Sequence, residues 1–163
     1  MISFVFKNME ELDLLINELN QNWFRIKKLT DYVKPGDIIC GNPGDPNEVK
    51  GRLVEKYVEI LLQTIPDLNI LDSFPESKYD VKTTNSGVEV YSETRLIHEF
   101  DFVFTYHGLP IISEVKAGKL NGVGNKIARG ISIAEDIFRT DVGAIIFSTF
   151  NHNRGSNAAM LQQ

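Results

Sequence analysis

The chain has few of the features that mark secreted, disulfide-stabilised or membrane proteins. It contains one cysteine, Cys40, which cannot build a disulfide framework and suits a reducing compartment. No apolar run approaches the roughly 20 residues that a membrane-spanning helix needs. Residues 1–7 lack the basic and long apolar regions of a signal peptide. These absences predict a cytoplasmic protein that has no membrane partner.

Acidic residues outnumber basic ones, and the net charge of −5 argues against a protein that binds nucleic acid over its whole surface. Residues 115–134 differ, because they contain no acidic residue and four basic ones: Lys116, Lys119, Lys126 and Arg129. A smaller basic cluster comprises Arg25, Lys27 and Lys28. These clusters either contact phosphate at one surface or are ordinary solvated charges.

Hydrophobic periodicity predicts an α/β protein. The predicted elements are a strand at 2–6, helices at 9–21 and 45–64, strands at 88–97, 100–106 and 109–115, a helix marked by Ile127, Ile131, Ala134 and Phe138, and a buried strand at 142–147. Residues 66–87 are polar and are predicted to be irregular. This order favours a mixed sheet covered by helices.

Three charged residues frame a predicted hairpin. Asp101 opens one apolar run, and Glu114 and Lys116 end the next, after a turn that contains Gly108 and Pro110. Alternate side chains share a face of a strand, so Glu114 and Lys116 should point the same way, and a hairpin would bring Asp101 alongside them. Two carboxylates and an ammonium at a sheet edge can hold a divalent metal beside a phosphate.

Spacing alone does not identify this set, because an acidic residue stands two positions before a lysine four times in the chain. In the closest alternative, Asp67 precedes Asp80 by the same thirteen positions that separate Asp101 from Glu114, and Lys82 follows. That segment is polar and has no apolar run to fix a strand face. Metal ligands must be held rigidly, which favours Asp101 and Glu114.

A further carboxylate, Glu55, falls at the border of the apolar stripe of the helix at 45–64, one turn from Gly51. A glycine inside a helix costs about 1 kcal/mol relative to alanine, so Gly51 is a candidate for a close approach of another group. The alternative is that Glu55 is a solvated surface residue.

The ordered set resembles the PD-(D/E)xK nuclease superfamily. It comprises Glu55 on a first helix, Asp101 opening a strand, and Glu114-Val115-Lys116 ending the next strand, before a basic helix and an apolar strand. The resemblance covers residues 45–148, and Phe100 replaces the proline of the family pattern. It implies a restriction-endonuclease-like fold with a mixed central sheet flanked by helices. A single domain over residues 1–150 is expected, with 1–44 an N-terminal elaboration and 151–163 a flexible tail.

The resemblance also implies a function, that of a metal-dependent DNA nuclease with little sequence specificity. The implied ligands of Mg²⁺ or Mn²⁺ are Asp101, Glu114, the Val115 carbonyl and Glu55, with Glu99 in reserve. Lys116 would orient the attacking water or stabilise charge on the phosphate. The implied contacts to the DNA backbone are Lys119, Lys126 and Arg129. His98, His107 and His152 form no site and are expected to be incidental surface or turn residues.

Two alternatives remain open. The chain could be a non-catalytic nucleic-acid- or protein-binding module on the same fold, which its acidic net charge favours. It could also be a small α/β protein in which Glu114 and Lys116 form a surface ion pair. Oligomeric state is not determined by the sequence, although cleavage of two strands would favour a homodimer.

Overall fold

The computed structural model describes four parts of the chain: residues 2–7, 10–26, 44–117 and 121–148. Several predictions lie outside the described residues, namely those on Cys40, Lys27, Lys28, Lys119, His152 and the tail at 151–163.

The described residues form three helices and eight strands. In chain order these are β1 (Ile2–Lys7), α1 (Glu10–Ile26), α2 (Pro46–Gln63), β2 (Leu68–Ile70), β3 (Asp80–Thr84), β4 (Gly87–Ser92), β5 (Arg95–Phe100), β6 (Phe102–Tyr106), β7 (Leu109–Lys116), α3 (Val123–Phe138) and β8 (Gly143–Ser148). A five-stranded mixed sheet has the order β1-β8-β7-β6-β2, and a second, antiparallel sheet has the order β3-β4-β5. The predicted mixed α/β class is therefore confirmed.

The sequence-based boundaries are wrong between residues 66 and 97. The strand predicted at 88–97 is a hairpin of β4 and β5, because the chain turns at Glu93, which has a φ of 56°. Strands β2 and β3 lie in the segment predicted to be irregular. Most of β3 is exposed, so no alternation of apolar residues marks it in the sequence.

The predicted start of the second helix is confirmed. Asp45 caps α2 by accepting a hydrogen bond from the backbone N–H of Asn47 at 3.0 Å, and Pro46 occupies the first helical position. At the other end, the Thr64 hydroxyl donates to the Leu61 carbonyl at 2.7 Å. These contacts satisfy backbone groups that the helix ends leave unpaired.

Two apolar cores lie on opposite faces of the five-stranded sheet. One face is covered by α1 and α2, whose buried residues pack on β6, β7 and β8. The other face is covered by α3 together with β4 and β5. The segment predicted to be an N-terminal elaboration takes part in this packing, because β1 pairs with β8 and α1 buries Leu12, Leu15 and Leu19.

The predicted hairpin is formed by β6 and β7. Its turn residues, His107 and Gly108, have φ values of 47° and 80°, and positive φ at both positions is typical of a type I′ turn. Pro110 lies within β7, opposite Thr105, rather than in the turn. Strand β7 pairs antiparallel with β6 and parallel with β8, and α3 makes the crossover.

Two helix glycines make a matched test of how tightly α3 packs. A Cβ on Gly130 would lie 2.9 Å from His98 Nε2 and 2.9 Å from Phe100 Cε1, whereas a Cβ on Gly51 would meet nothing within 4 Å. Gly130→Ala should lower the free energy of unfolding by about 1–2 kcal/mol, because the added Cβ displaces these two side chains at a cost that exceeds the helix preference of alanine. Gly51→Ala should raise it by about 0.5–1 kcal/mol, because alanine favours helix. Urea unfolding of the two variants measures the difference, and equal effects would contradict the tight packing of α3.

Candidate active site

Asp101 lies at the bend between β5 and β6 and is held against the end of β7. Its Oδ2 accepts a hydrogen bond from the backbone N–H of Val115 at 2.7 Å. A carboxylate that accepts from a backbone N–H is fixed in orientation by a strong, charge-assisted bond. The hairpin therefore brings Asp101 to the strand that carries Glu114.

Glu114 is a buried carboxylate, with 2% of its surface exposed. Its Oε2 accepts from Lys126 Nζ at 3.0 Å, and its Oε1 has no hydrogen-bond partner among the described residues. Burial, with a smaller contribution from the charge of Asp101, raises the pKa of Glu114 well above its ordinary value, although Lys126 opposes the shift. Burying a carboxyl group that has one oxygen without a hydrogen bond destabilises the folded state. Unfavourable burial of this kind is typical of a functional site.

Lys116 follows Glu114 by two positions in β7, so both side chains emerge on the side of the sheet that α3 covers. Ile112 of this face belongs to the core under α3, whereas Ile111 and Val115 belong to the opposite core. Lys116 is half-buried, and the lysine bonded to Glu114 is Lys126. The alternative of a surface ion pair between Glu114 and Lys116 is therefore wrong for these two side chains.

Glu55 is partly buried, with 26% of its side chain exposed, and it bonds Arg52 Nη1 through Oε2 at 2.9 Å. Burial and the nearby charge of Asp101 raise the pKa of Glu55, and Arg52 opposes the rise. Glu55 and Asp101 line the same cavity of about 290 Å³, with the exposed Glu99 at its margin. The structure thus places Glu55 across a cavity from Asp101.

The alternative set of Asp67, Asp80 and Lys82 differs from Asp101 and Glu114 in solvent exposure and not in the presence of a strand. Asp80 and Lys82 do lie on a strand, β3, which the sequence analysis did not predict. Their side chains are each 59% exposed and pair with each other at 3.5 Å. Asp67 is exposed and has a φ of 60° in a turn. Solvation, rather than the absence of a strand, distinguishes this pair from Asp101 and Glu114.

The predicted phosphate-contacting residues do not share one environment. Lys126 lies on α3 with its ammonium on Glu114, and 39% of its side chain is exposed. Burial is the largest influence and lowers the pKa of Lys126, but the charge of Glu114, the hydrogen bond to it and the charges of Asp101 and Glu99 together outweigh burial, and the net shift is upward. Arg129 is exposed on the same helix. Of the two, Arg129 is the one that remains open to an external phosphate.

His98 was expected to be an incidental surface or turn residue, but it is buried near Lys126 and Arg129. It is 7% exposed, it packs edge-on against Phe100 with ring centroids 4.6 Å apart, and its Nε2 has no hydrogen-bond partner among the described residues. Burial, helped by the positive charges of Lys126 and Arg129, lowers the pKa of His98 to about 4. The alternation of β5, in which Phe100 is also buried, is the sequence signal that would have identified it.

No three His, Cys, Asp or Glu side chains of the described ranges lie close enough together to form a metal-binding group. Asp101 and Glu114 lie close to each other, and Glu55 of helix α2 lines a cavity together with Asp101. None of the helices in the described ranges is long and apolar enough to cross a membrane.

Comparison with known proteins adds no relative. A scan against protein-family models, a search of curated proteins and a search of solved structures each gave no significant match to the chain. The local geometry and the sequence resemblance are therefore the basis for a proposed function.

The hydrogen bond between Lys126 and Glu114 should contribute more to the free energy of unfolding than a surface ion pair does. Lys126→Met removes the hydrogen-bond donor to Glu114 Oε2 and the cation that opposes the rise in its pKa, so it should lower the free energy of unfolding by about 1–3 kcal/mol. Lys56→Met is the matched control, because Lys56 pairs with Glu59 at 3.1 Å with both side chains more than a third exposed. It should cost at most about 0.5 kcal/mol. Chemical unfolding measures both, and equal losses would refute the assigned burial of Glu114.

The buried His98 should make stability fall as pH decreases. Its folded-state pKa of about 4 lies below the ordinary value of 6.5, so only the unfolded chain takes up this proton between pH 6.5 and 4. The loss should approach roughly 3 kcal/mol below pH 4, at about 1.4 kcal/mol per pKa unit. His98→Leu should flatten the curve of unfolding free energy against pH in this window. His107→Asn, in the exposed turn, is the control substitution, and a curve that flattens in this variant but not in His98→Leu would contradict the assignment to His98.

Proposed function

We propose that this protein is a metal-dependent nuclease that hydrolyses phosphodiester bonds in DNA with little sequence specificity. The observation that carries the proposal is the burial of the Glu114 carboxyl group close to Asp101, with one of its oxygens lacking a hydrogen-bond partner among the described residues. Such an arrangement does not stabilise the fold, because desolvation of an unsatisfied carboxylate is unfavourable. The proposal extends to a restriction-endonuclease-like fold, which the resemblance of residues 45–148 supports.

The donor set fits a small, hard divalent cation. Mg²⁺ prefers oxygen ligands, keeps several waters and is commonly held by one or two carboxylates. Asp101, Glu114 and the Val115 carbonyl would hold the ion, and Glu55, which does not form a three-carboxylate group with them in the described structure, would bind it through a water. When bound, the metal would polarise the phosphate and lower the pKa of a coordinated water.

The remaining roles belong to side chains around the carboxylates. Val115 N–H orients the Asp101 carboxylate through the bond to Oδ2. Lys116, on the same strand face as Glu114, would donate to the phosphate oxygens and stabilise charge that develops there. Arg129, exposed on α3, would hold the DNA backbone without reading its sequence. A single cysteine supports a cytoplasmic location, and a homodimer would be required only to cut both strands of a duplex.

A non-catalytic binding module is the second candidate. Lys126 already neutralises Glu114 from within the protein, so the carboxylate has a counter-ion without a metal. In such a module the ion pair would be structural, and DNA or protein binding would survive the loss of Asp101. The two candidates differ in whether a divalent cation binds and whether DNA is cut.

Cleavage assays test the leading proposal. Of linear, branched, nicked and single-stranded DNA, at least one should be cut with Mg²⁺ or Mn²⁺ and not with EDTA. Asp101→Asn and Glu114→Gln should abolish cleavage, because they remove the charge that would hold the metal, and Lys116→Met should slow it about 100-fold or more, because it removes charge that acts at the phosphate. Metal at 100 times its Kd should also stabilise the wild type by about 2.7 kcal/mol, read as a rise in Tm that Glu114→Gln lacks.

Asp80→Asn is the matched control, because Asp80 is an exposed carboxylate two residues before a lysine on another strand. It should cut DNA and respond to metal as the wild type does. Cleavage that survives Glu114→Gln, or that is lost in Asp80→Asn, would overturn the site assignment. DNA binding without a metal-dependent rise in Tm would favour the binding module.

A further inference from the structure

A cavity of about 400 Å³ lies beside Asp101, between helix α2 and the turn that joins β3 to β4. Glu55 and Asp101 form one side of this cavity, so an occupant would sit next to the proposed site of hydrolysis. The cavity is distinct from the surface of α3 that carries Arg129.

The lining of this cavity is divided into an apolar part and a neutral polar part. Ile70, Leu71, Phe102 and Val103 contribute apolar surface, and the half-buried Phe102 offers an aromatic side chain. The turn segment 83–86 contributes the amide of Asn85 and three hydroxyls, which already bond to backbone carbonyls or to each other and keep the capacity to accept. An apolar floor with a few hydrogen-bonding groups at the edge suits a flat, neutral, hydrogen-bonding ligand.

The charged residues that line the cavity on α2 are paired with one another. Arg52 bonds Glu55 at 2.9 Å, and Lys56 bonds Glu59 at 3.1 Å. These pairs leave the helix wall close to neutral, so it does not favour a phosphate inside the cavity. A nucleotide would therefore place its base in the cavity and leave its phosphate outside, beside Asp101.

The size of the cavity restricts which DNA can use it. Cavities of roughly 300–1,000 Å³ take small molecules, and a stacked, paired duplex cannot enter such a space. A base enters only when it is unstacked, as in single-stranded DNA bound on aromatic side chains. Resting on the proposed nuclease function, we propose that this cavity binds one unstacked base of single-stranded DNA, and that single-stranded segments are the substrate.

Binding measured in EDTA tests this proposal independently of cleavage. Fluorescence anisotropy with a labelled single strand and with a blunt duplex of the same sequence should show tighter binding of the single strand. Phe102→Leu keeps an apolar side chain but removes the aromatic face, and should weaken single-strand binding about tenfold. Asn85→Ala, at the exposed turn, should weaken it severalfold through a lost hydrogen bond. Duplex binding should change little in either variant.

Phe74→Leu is the matched control, because Phe74 is a half-buried aromatic residue that packs against Phe138, with ring centroids 6.2 Å apart, and does not line the cavity. It should bind the single strand as the wild type does. The proposal is overturned if the duplex binds as tightly as the single strand, or if Phe102→Leu and Asn85→Ala both behave like Phe74→Leu.

The same protein preparations separate this proposal from the nuclease assignment. Metal-dependent cleavage that requires Glu114, together with unaltered binding by Phe102→Leu and Asn85→Ala, would remove the base site and leave the nuclease standing. Single-strand binding that depends on Phe102, without cleavage in any divalent metal, would remove the nuclease and leave the base site.

Discussion

Strand β7 is hydrogen-bonded along both edges, to β6 on one side and to β8 on the other, and both apolar cores depend on it. Its alternating side chains insert Ile111 and Val115 into the core under α1 and α2, and Ile112 into the core under α3. A strand held in this way cannot shift by one residue without exchanging its two faces. The same constraint fixes Glu114 under α3 and presents the Val115 N–H to Asp101.

The electrostatics of the site follow from that fixed position. Glu114 is desolvated because the sheet and α3 cover it, and Asp101 adds a second negative charge nearby. Lys126 offsets part of this cost from α3, which leaves one carboxylate oxygen without a partner in the described structure. A cation site and an internal ion pair are therefore two ways to neutralise one buried carboxylate. The cavity of about 400 Å³ beside Asp101 lies next to either arrangement.

Sequence reasoning succeeded where one physical signal dominates. The start of α2 and the hairpin of β6 and β7 were predictable, because helix-start signals and strand alternation are local. It failed for β3, which is exposed, and for the turn at Glu93, which no glycine or proline marks. It also treated His98 as incidental, because this residue fell between the strands predicted at 88–97 and 100–106, which hid the alternation of β5.

The sequence by itself determined the α/β class and the pairing of Asp101 with the strand of Glu114, since strand periodicity and a short turn are encoded locally. Only the tertiary structure decided that Lys126, and not Lys116, neutralises Glu114, because that contact depends on where the crossover helix α3 lies on the sheet. Tertiary packing likewise decided which acidic pair is buried. Burial is a property of the assembled layers, and no spacing of residues along the chain specifies it.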